Sequence, residues 1–208
     1  MTIQARTYAG ASAEQRRERR RAALLDATLE VVAQRGVKGL GVKAICAAAG
    51  LNDRYFYEQF RDCDEVLTAL NDDLIFHVGA AFNGAIAATE PEVAARIRAC
   101  VVTAVDFLTV DPRHGRFLIE SQSSEQLRAK RQELVTTLAE VMVAGRPLLG
   151  QDAPSEEDSR LMALTIISGC LELSAMWMRG DLDTGRDKLV DFMTALALSS
   201  TRLSAQNV

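Results

Sequence analysis

Histidine is almost missing from this chain. Its two copies, His77 and His114, have no second ligand at metal-binding spacing beside them, so no metal centre is expected. Cysteine is just as sparse. Cys46, Cys63, Cys100 and Cys170 stand far apart, which argues against a zinc ribbon or a disulfide framework and fits a reducing compartment. No apolar run approaches the ~20 residues that span a bilayer, and the first fifteen residues lack the apolar centre of a secretory signal. The expectation is a cytoplasmic protein with no membrane partner. Period-two alternation is nowhere sustained, so strands have no support and the fold class is all-α. The glycines of GVKGLG (36–41) do not match a dinucleotide fingerprint, and no strand precedes them. No nucleophile–base constellation stands out either. An enzyme is therefore not expected, nor a cofactor, and a small all-α enzyme remains a remote alternative.

Aromatic residues are scarce at 5%, yet Tyr55, Phe56, Tyr57 and Phe60 fall within six positions. Just upstream lies RRERRR, Arg16 to Arg21. The net charge of −4 conceals a strong asymmetry. Residues 1–60 hold ten Lys/Arg against six Asp/Glu, whereas residues 61–208 hold fourteen against twenty-two. Phosphate neutralisation supplies most non-specific DNA affinity, so a nucleic-acid partner belongs to the N-terminal part.

Residues 1–12 lack periodicity and read as a tail. A first helix begins near Ala13, with Leu24, Leu25, Thr28, Val31 and Val32 on one face and Gly36 as its cap. Two short helices follow, Val42 to Ala49 and Asn52 to Phe60, joined at Gly50 and with Asn52 as an N-cap. Asp64 is placed to cap a longer helix ending near Asn83. Pro91 suits the first turn of a helix to about Val110, and Pro112 opens one to about Ser121. Further helices are expected from Ser124 to Gly145, from Ser155 to about Arg179, and from Arg186 to about Leu203.

Ile45, Ala49, Leu51, Phe56 and Phe60 supply apolar contacts between the two short helices and the first. The outward face of the second short helix then presents Asp53, Arg54, Tyr55, Tyr57 and Gln59, as a helix-turn-helix recognition helix would to a major groove. The arginine cluster, including Arg16 and Arg17, is placed to reach phosphates or an adjacent minor groove.

The order of basic arm, LLDATLEVVAQRG, VKAICAAAG, LNDRYFYEQF and an acidic helix start resembles the tetracycline-repressor (TetR) family across residues 17–67. That resemblance implies a DNA-binding head at 1–63, with its helix-turn-helix at about 42–60 behind a flexible basic arm. An effector-binding and dimerisation body would occupy 64–208. It also implies a bacterial homodimer, a near-palindromic double-stranded operator and release from DNA by a small molecule. By the same resemblance Lys43 is a DNA contact, Asn52 holds the usual serine position and Asp53, Arg54 and Tyr55 match the base-reading turn. Tyr57 matches a phosphate-contacting tyrosine. Leu40-Gly41 replaces a Thr/Ser pair, Arg54 a common glycine and Cys63 a frequent lysine. A helix-turn-helix protein without an effector is the alternative.

In the body, Phe107, Phe117, Met162, Cys170, Met176 and Trp177 are candidates for a cavity lining and, equally, for plain core. Their character points to a mostly apolar effector. Asp106, Glu120 and Glu172 interrupt apolar runs and must meet solvent, a base or a ligand. Thr165, Ser168, Gly169 and Glu172 share a face of mostly small side chains, and Leu189, Phe192, Met193 and Leu196 form an apolar stripe. Paired between two subunits, these would build a four-helix bundle.

Overall fold

Local capping and apolar spacing produce a chain of helices with no strand among the described residues, in a computed structural model that describes residues 12–144 and 154–200. The first helix, α1 (Ala13–Arg35), opens with a capping box. Ser12 Oγ accepts from Gln15 N–H at 3.0 Å while the Gln15 side chain accepts from Ser12 N–H at 2.8 Å. Arg16 to Arg21 are therefore helical, turning along the first half of α1 rather than forming an extended arm.

A 3₁₀ turn at Val37–Gly39 leads to α2 (Val42–Ala49), the turn at Gly50 and α3 (Asp53–Tyr57). Gly50 sits in the left-handed region at φ 64°, which only glycine enters cheaply. Gly41 has no side chain to cap α2, and no side-chain hydrogen bond replaces it. The recognition helix was expected to run to Phe60. It is regular only to Tyr57, after which turn-type bonds from Gln59 and Phe60 N–H to Phe56 carry the backbone onward.

The connecting helix α4 (Cys63–Ala87) starts one residue earlier than expected and ends four later than Asn83. Asp62, not Asp64, is its cap, accepting from Glu65 N–H at 2.8 Å. Helix α5 (Val93–Val110) begins two residues after Pro91, with Glu92 in the cap position. Pro112 is the first residue of α6 (Pro112–Ser123), capped by Asp111. Then come α7 (Glu125–Ala144), α8 (Glu156–Arg179) capped by Ser155, and α9 (Arg186–Ser200). Gly145 and Leu203, the expected ends of α7 and α9, lie outside the described residues.

Leu24, Leu25, Leu29 and Val32 of α1 pack with Ile45, Cys46, Phe56 and Phe60 of the helix-turn-helix and Val66, Leu67 and Leu70 of α4. Phe117 of α6 and Leu127 of α7 belong to the same buried cluster, so packing is continuous across residue 63. Further along, α4 and α9 lie against α5, and α7 and α6 lie against α8.

Three carboxylates that break apolar runs are all paired. Asp106 of α5 meets Arg186 of α9, Glu120 meets Arg116 at 2.9 Å, and Glu172 meets Arg179 at 3.6 Å.

Candidate nucleic-acid interface

Five residues of helix cannot stand alone in water, so α3 must be held by its neighbours. Phe56 is fully buried and Phe60 nearly so, their ring centroids 5.8 Å apart. Asn52 Oδ1 accepts from Tyr55 N–H at 3.2 Å and fixes the first turn. With that inner side anchored, Asn52, Asp53, Arg54, Tyr57 and Glu58 are left exposed on one continuous surface. Lys43 adds a charge from α2, and Arg16 and Arg17 are exposed on α1.

The outward residues are not equivalent. Tyr57 is 61% exposed and meets Phe56 edge-on at 5.5 Å. Tyr55 is half-buried beneath the Arg20 guanidinium, which lies 4.7 Å from the ring centroid. Arg21 covers Phe60 in the same manner at 5.4 Å. Gln59 is half-buried, and its Nε2 is enclosed without a hydrogen-bond partner. Burial raises the pKa of the Cys46 thiol, and the negative charge of Asp53 adds to the effect. Burial likewise raises the Cys63 thiol, with Asp62 and Asp64 adding to the effect, so that position stays neutral.

Two residues escaped the sequence reading. Glu58 accepts from Arg54 Nε at 3.1 Å, and its other oxygen lies 3.9 Å from Arg20. The four-residue spacing of Arg54 and Glu58 was a visible signal for one contact. Arg20 reaches α3 from another helix, and nothing in the local sequence marks that.

Helix α6 is tied to α1 and to the turn after it. Arg113 of α6 pairs with Asp26 at 3.0 Å and Glu30 at 3.4 Å, both on α1. Glu120 Oε2 accepts from Val37 N–H at 3.1 Å, just after Gly36. A cavity of about 260 Å³ lies beside these links, floored by Leu25, Leu29, Leu70 and Leu74 and edged by Asp73, His77 and His114. A second, of about 230 Å³, lies between α7 and α8.

Neither cavity is lined by the six residues considered for an effector. Phe117 is buried with the head cluster, and Phe107 stacks on His114 at 4.3 Å. Trp177 Nε1 donates to Thr184 carbonyl oxygen at 2.9 Å across the α8–α9 turn. Met162, Cys170 and Met176 are half-buried along α8, where burial raises the Cys170 thiol pKa. Of the residues considered for a subunit interface, Thr165, Ser168, Glu172 and Phe192 are exposed. Gly169 and Leu196 are half-buried, whereas Leu189 and Met193 are buried within their own chain.

Residues 24–70 match the family model of bacterial regulatory proteins, tetR family. The chain is 26% identical over 178 residues to the HTH-type transcriptional activator FasR of Mycolicibacterium smegmatis, covering 84% of this chain and 80% of that protein. Its fold resembles that of the fatty acid degradation regulator FadR from Bacillus halodurans, with TM-score 0.70 and 19% identity over 88% of this chain and 94% of the other. A TetR-like transcriptional regulator from Rhodococcus sp. gives TM-score 0.68 and 18% identity over 88% and 96%.

Proposed function

The chain belongs to the tetR family of bacterial regulatory proteins, and from that premise we propose that it reads a near-palindromic operator as a cytoplasmic homodimer controlled by a small molecule. It is a DNA-binding transcriptional regulator and not an enzyme. The observation that carries the operator reading is the surface around α3. An anchored five-residue helix has Asn52 at its cap and exposes Asp53, Arg54 and Tyr57, while Lys43 of α2 and Arg16 and Arg17 of α1 are exposed as well. In this reading residues 1–63 are the head, residues 64–208 are the body, and Tyr55 and Gln59 support the reading face from beneath it. Selection from a randomised duplex pool tests it. The expected product is an inverted repeat with half-site centres about 34 Å, or a multiple of it, apart. A pool that enriches no motif overturns the proposal.

Dimerisation is supported by α8. Its most apolar eighteen residues have a mean hydropathy of 1.6, yet only 22% of them are buried within one chain. By length and composition this helix could also cross a membrane. A second copy is the better cover. The exposed stripe of Leu161, Thr165, Ser168 and Glu172 on α8, with Phe192 exposed on α9, mixes apolar with polar groups as a protein interface does and a lipid-facing helix does not.

The effector in this reading is mostly apolar. Phe107, Met162, Cys170, Met176 and Trp177 are only half-buried, which supports a body able to repack around an apolar guest. A structural relative is described as a fatty acid degradation regulator, so straight-chain fatty acids are the first probes. Calorimetry should find one that binds and that releases the operator. If none of a broad apolar panel does both, the effector-free reading replaces this one. The direction of control has a second reading, activation, favoured by the 26% identity to an activator. Transcription from the selected operator, with and without the protein, separates the two.

A further inference from the structure

The recognition helix and its turn, Asn52 to Phe60, carry a net charge of −1, with Asp53 and Glu58 against Arg54. An element entering a groove between two phosphate backbones gains nothing from that sign, so Glu58 needs an explanation. Its carboxylate lies between two arginines. Arg54 Nε is 3.1 Å away, one turn back on the same helix, and Arg20 Nη2 is 3.9 Å away on α1. Their situations differ. Arg20 is three-quarters buried, stacked on Tyr55, with its Nε enclosed. The Arg54 side chain is 84% exposed and can leave.

We infer that Glu58 is a specificity-determining residue that acts through Arg54. The inference rests on the operator reading above. A free arginine on a DNA-facing helix binds any phosphate it reaches. Tethered to Glu58, Arg54 is neutralised along the helix surface, and a lone phosphate oxygen offers little advantage over the carboxylate it must leave. Guanine offers two acceptors, O6 and N7, in the geometry a guanidinium fork matches, and so displaces the carboxylate where a phosphate does not. Glu58 also repels the backbone of every duplex equally. Only a site that repays both costs is held. Glu58 touches no base in this scheme; it sets what Arg54 will accept.

The test uses the full-length protein and two duplexes of equal length: one enriched by the wild type from a random pool, and one scrambled. Glu58→Gln should bind the scrambled duplex about tenfold more tightly, with the slope of log K against log salt steeper by roughly one, as one added phosphate contact gives. Discrimination between the duplexes should fall about fivefold, the lower end of what a bidentate contact supplies. In an Arg54→Ala background, Glu58→Gln should leave discrimination unchanged. Glu58→Asp, whose carboxylate is drawn back by one methylene, should lose discrimination too and serves if Glu58→Gln melts early. Unchanged discrimination in both Glu58 variants overturns the inference. So does a loss that persists without Arg54, or an equal weakening on both duplexes, which marks a structural role. If the wild type enriches no motif, the operator reading itself has failed; if it does and both Glu58 variants behave as wild type, only the role of Glu58 has.

Discussion

Tyr55 and Tyr57 stand two positions apart on one short helix and have opposite surroundings. The alternation of α3 sends Phe56 inward, and the sequence pattern correctly separates it from its neighbours. It does not separate the two tyrosines, because what covers Tyr55 is Arg20, thirty-five residues earlier. Tyr57 has a free approach to a phosphate. Tyr57→Phe should therefore weaken binding to all duplexes alike, measured as a uniform shift in affinity with base preferences intact. Arg54→Ala should cost about 1–3 kcal/mol and relax preference at one position per half-site. Loss of the exposed Glu58 pair contributes little to that figure, since such pairs are worth roughly 0–1 kcal/mol. A repeat of the duplex selection with each variant reads the difference. Phe56→Ala belongs to another class: a fully buried ring is removed, and about 3–5 kcal/mol of head stability should go with it, read by denaturant unfolding.

Helix α6 is the element whose importance local patterns conceal. The sequence marks its start through Pro112 and leaves its reach unstated, since Arg113 and Glu120 find partners more than eighty residues upstream. The same limit explains the other boundary errors. Asp62 and Asp64 are equally good caps on paper, and only the geometry after Phe60 selects Asp62. Apolar spacing marked α1 and α4, because a buried face repeats whatever it packs against, and prolines, caps and turns marked most of the other α-helices; the 3₁₀ turn at Val37–Gly39 carried no such signal. Gly36 tests the α6 link. It has φ 70°, and a Cβ there would lie 2.7 Å from Glu120 Oε2. Gly36→Ala should lower stability by more than 1 kcal/mol through strain alone, and Glu120→Ala in that background should remove the steric part while leaving Val37 N–H unpaired. Acid tests the same junction. The Arg113 guanidinium holds the Asp111 carboxyl below the usual carboxylate range, with help from Arg113 N–H. A depressed folded pKa stabilises the folded state above the unfolded value of about 3.9 and loses that effect as pH falls through the folded one. Asp111→Asn should melt lower than wild type at pH 7, and the gap should narrow by pH 3.

If two chains share one operator, as proposed, two heads must reach successive major grooves together, so anything that sets their separation sets affinity. The bodies fix that separation if α8 and α9 join two chains, as the poorly covered apolar stretch of α8 favours. Phe192, 52% exposed on α9, and Leu161, 59% exposed on α8, are the places to break the joint without touching either chain's own core. Phe192→Glu with Leu161→Glu should sediment as a monomer at micromolar concentration, keep its helical content, and lose operator binding far more than single-half-site binding. Each head is held to its body twice, by α4 running out of the helix-turn-helix and by α6 through Arg113 and Glu120. An effector that tilts α4 must therefore carry α6 with it or break those contacts. Arg113→Ala with Glu120→Ala removes the polar part of the second tie, leaving Phe117 packed with α1, and leaves the first. Coupling between effector and operator is reciprocal, so the operator must weaken the effector by the same factor as the effector weakens the operator. Calorimetry of a bound fatty acid, with and without saturating operator, should show equal factors in the wild type and a smaller pair of equal factors in the double variant. Full coupling without these polar contacts would assign the signal to α4 and to the apolar packing of Phe117.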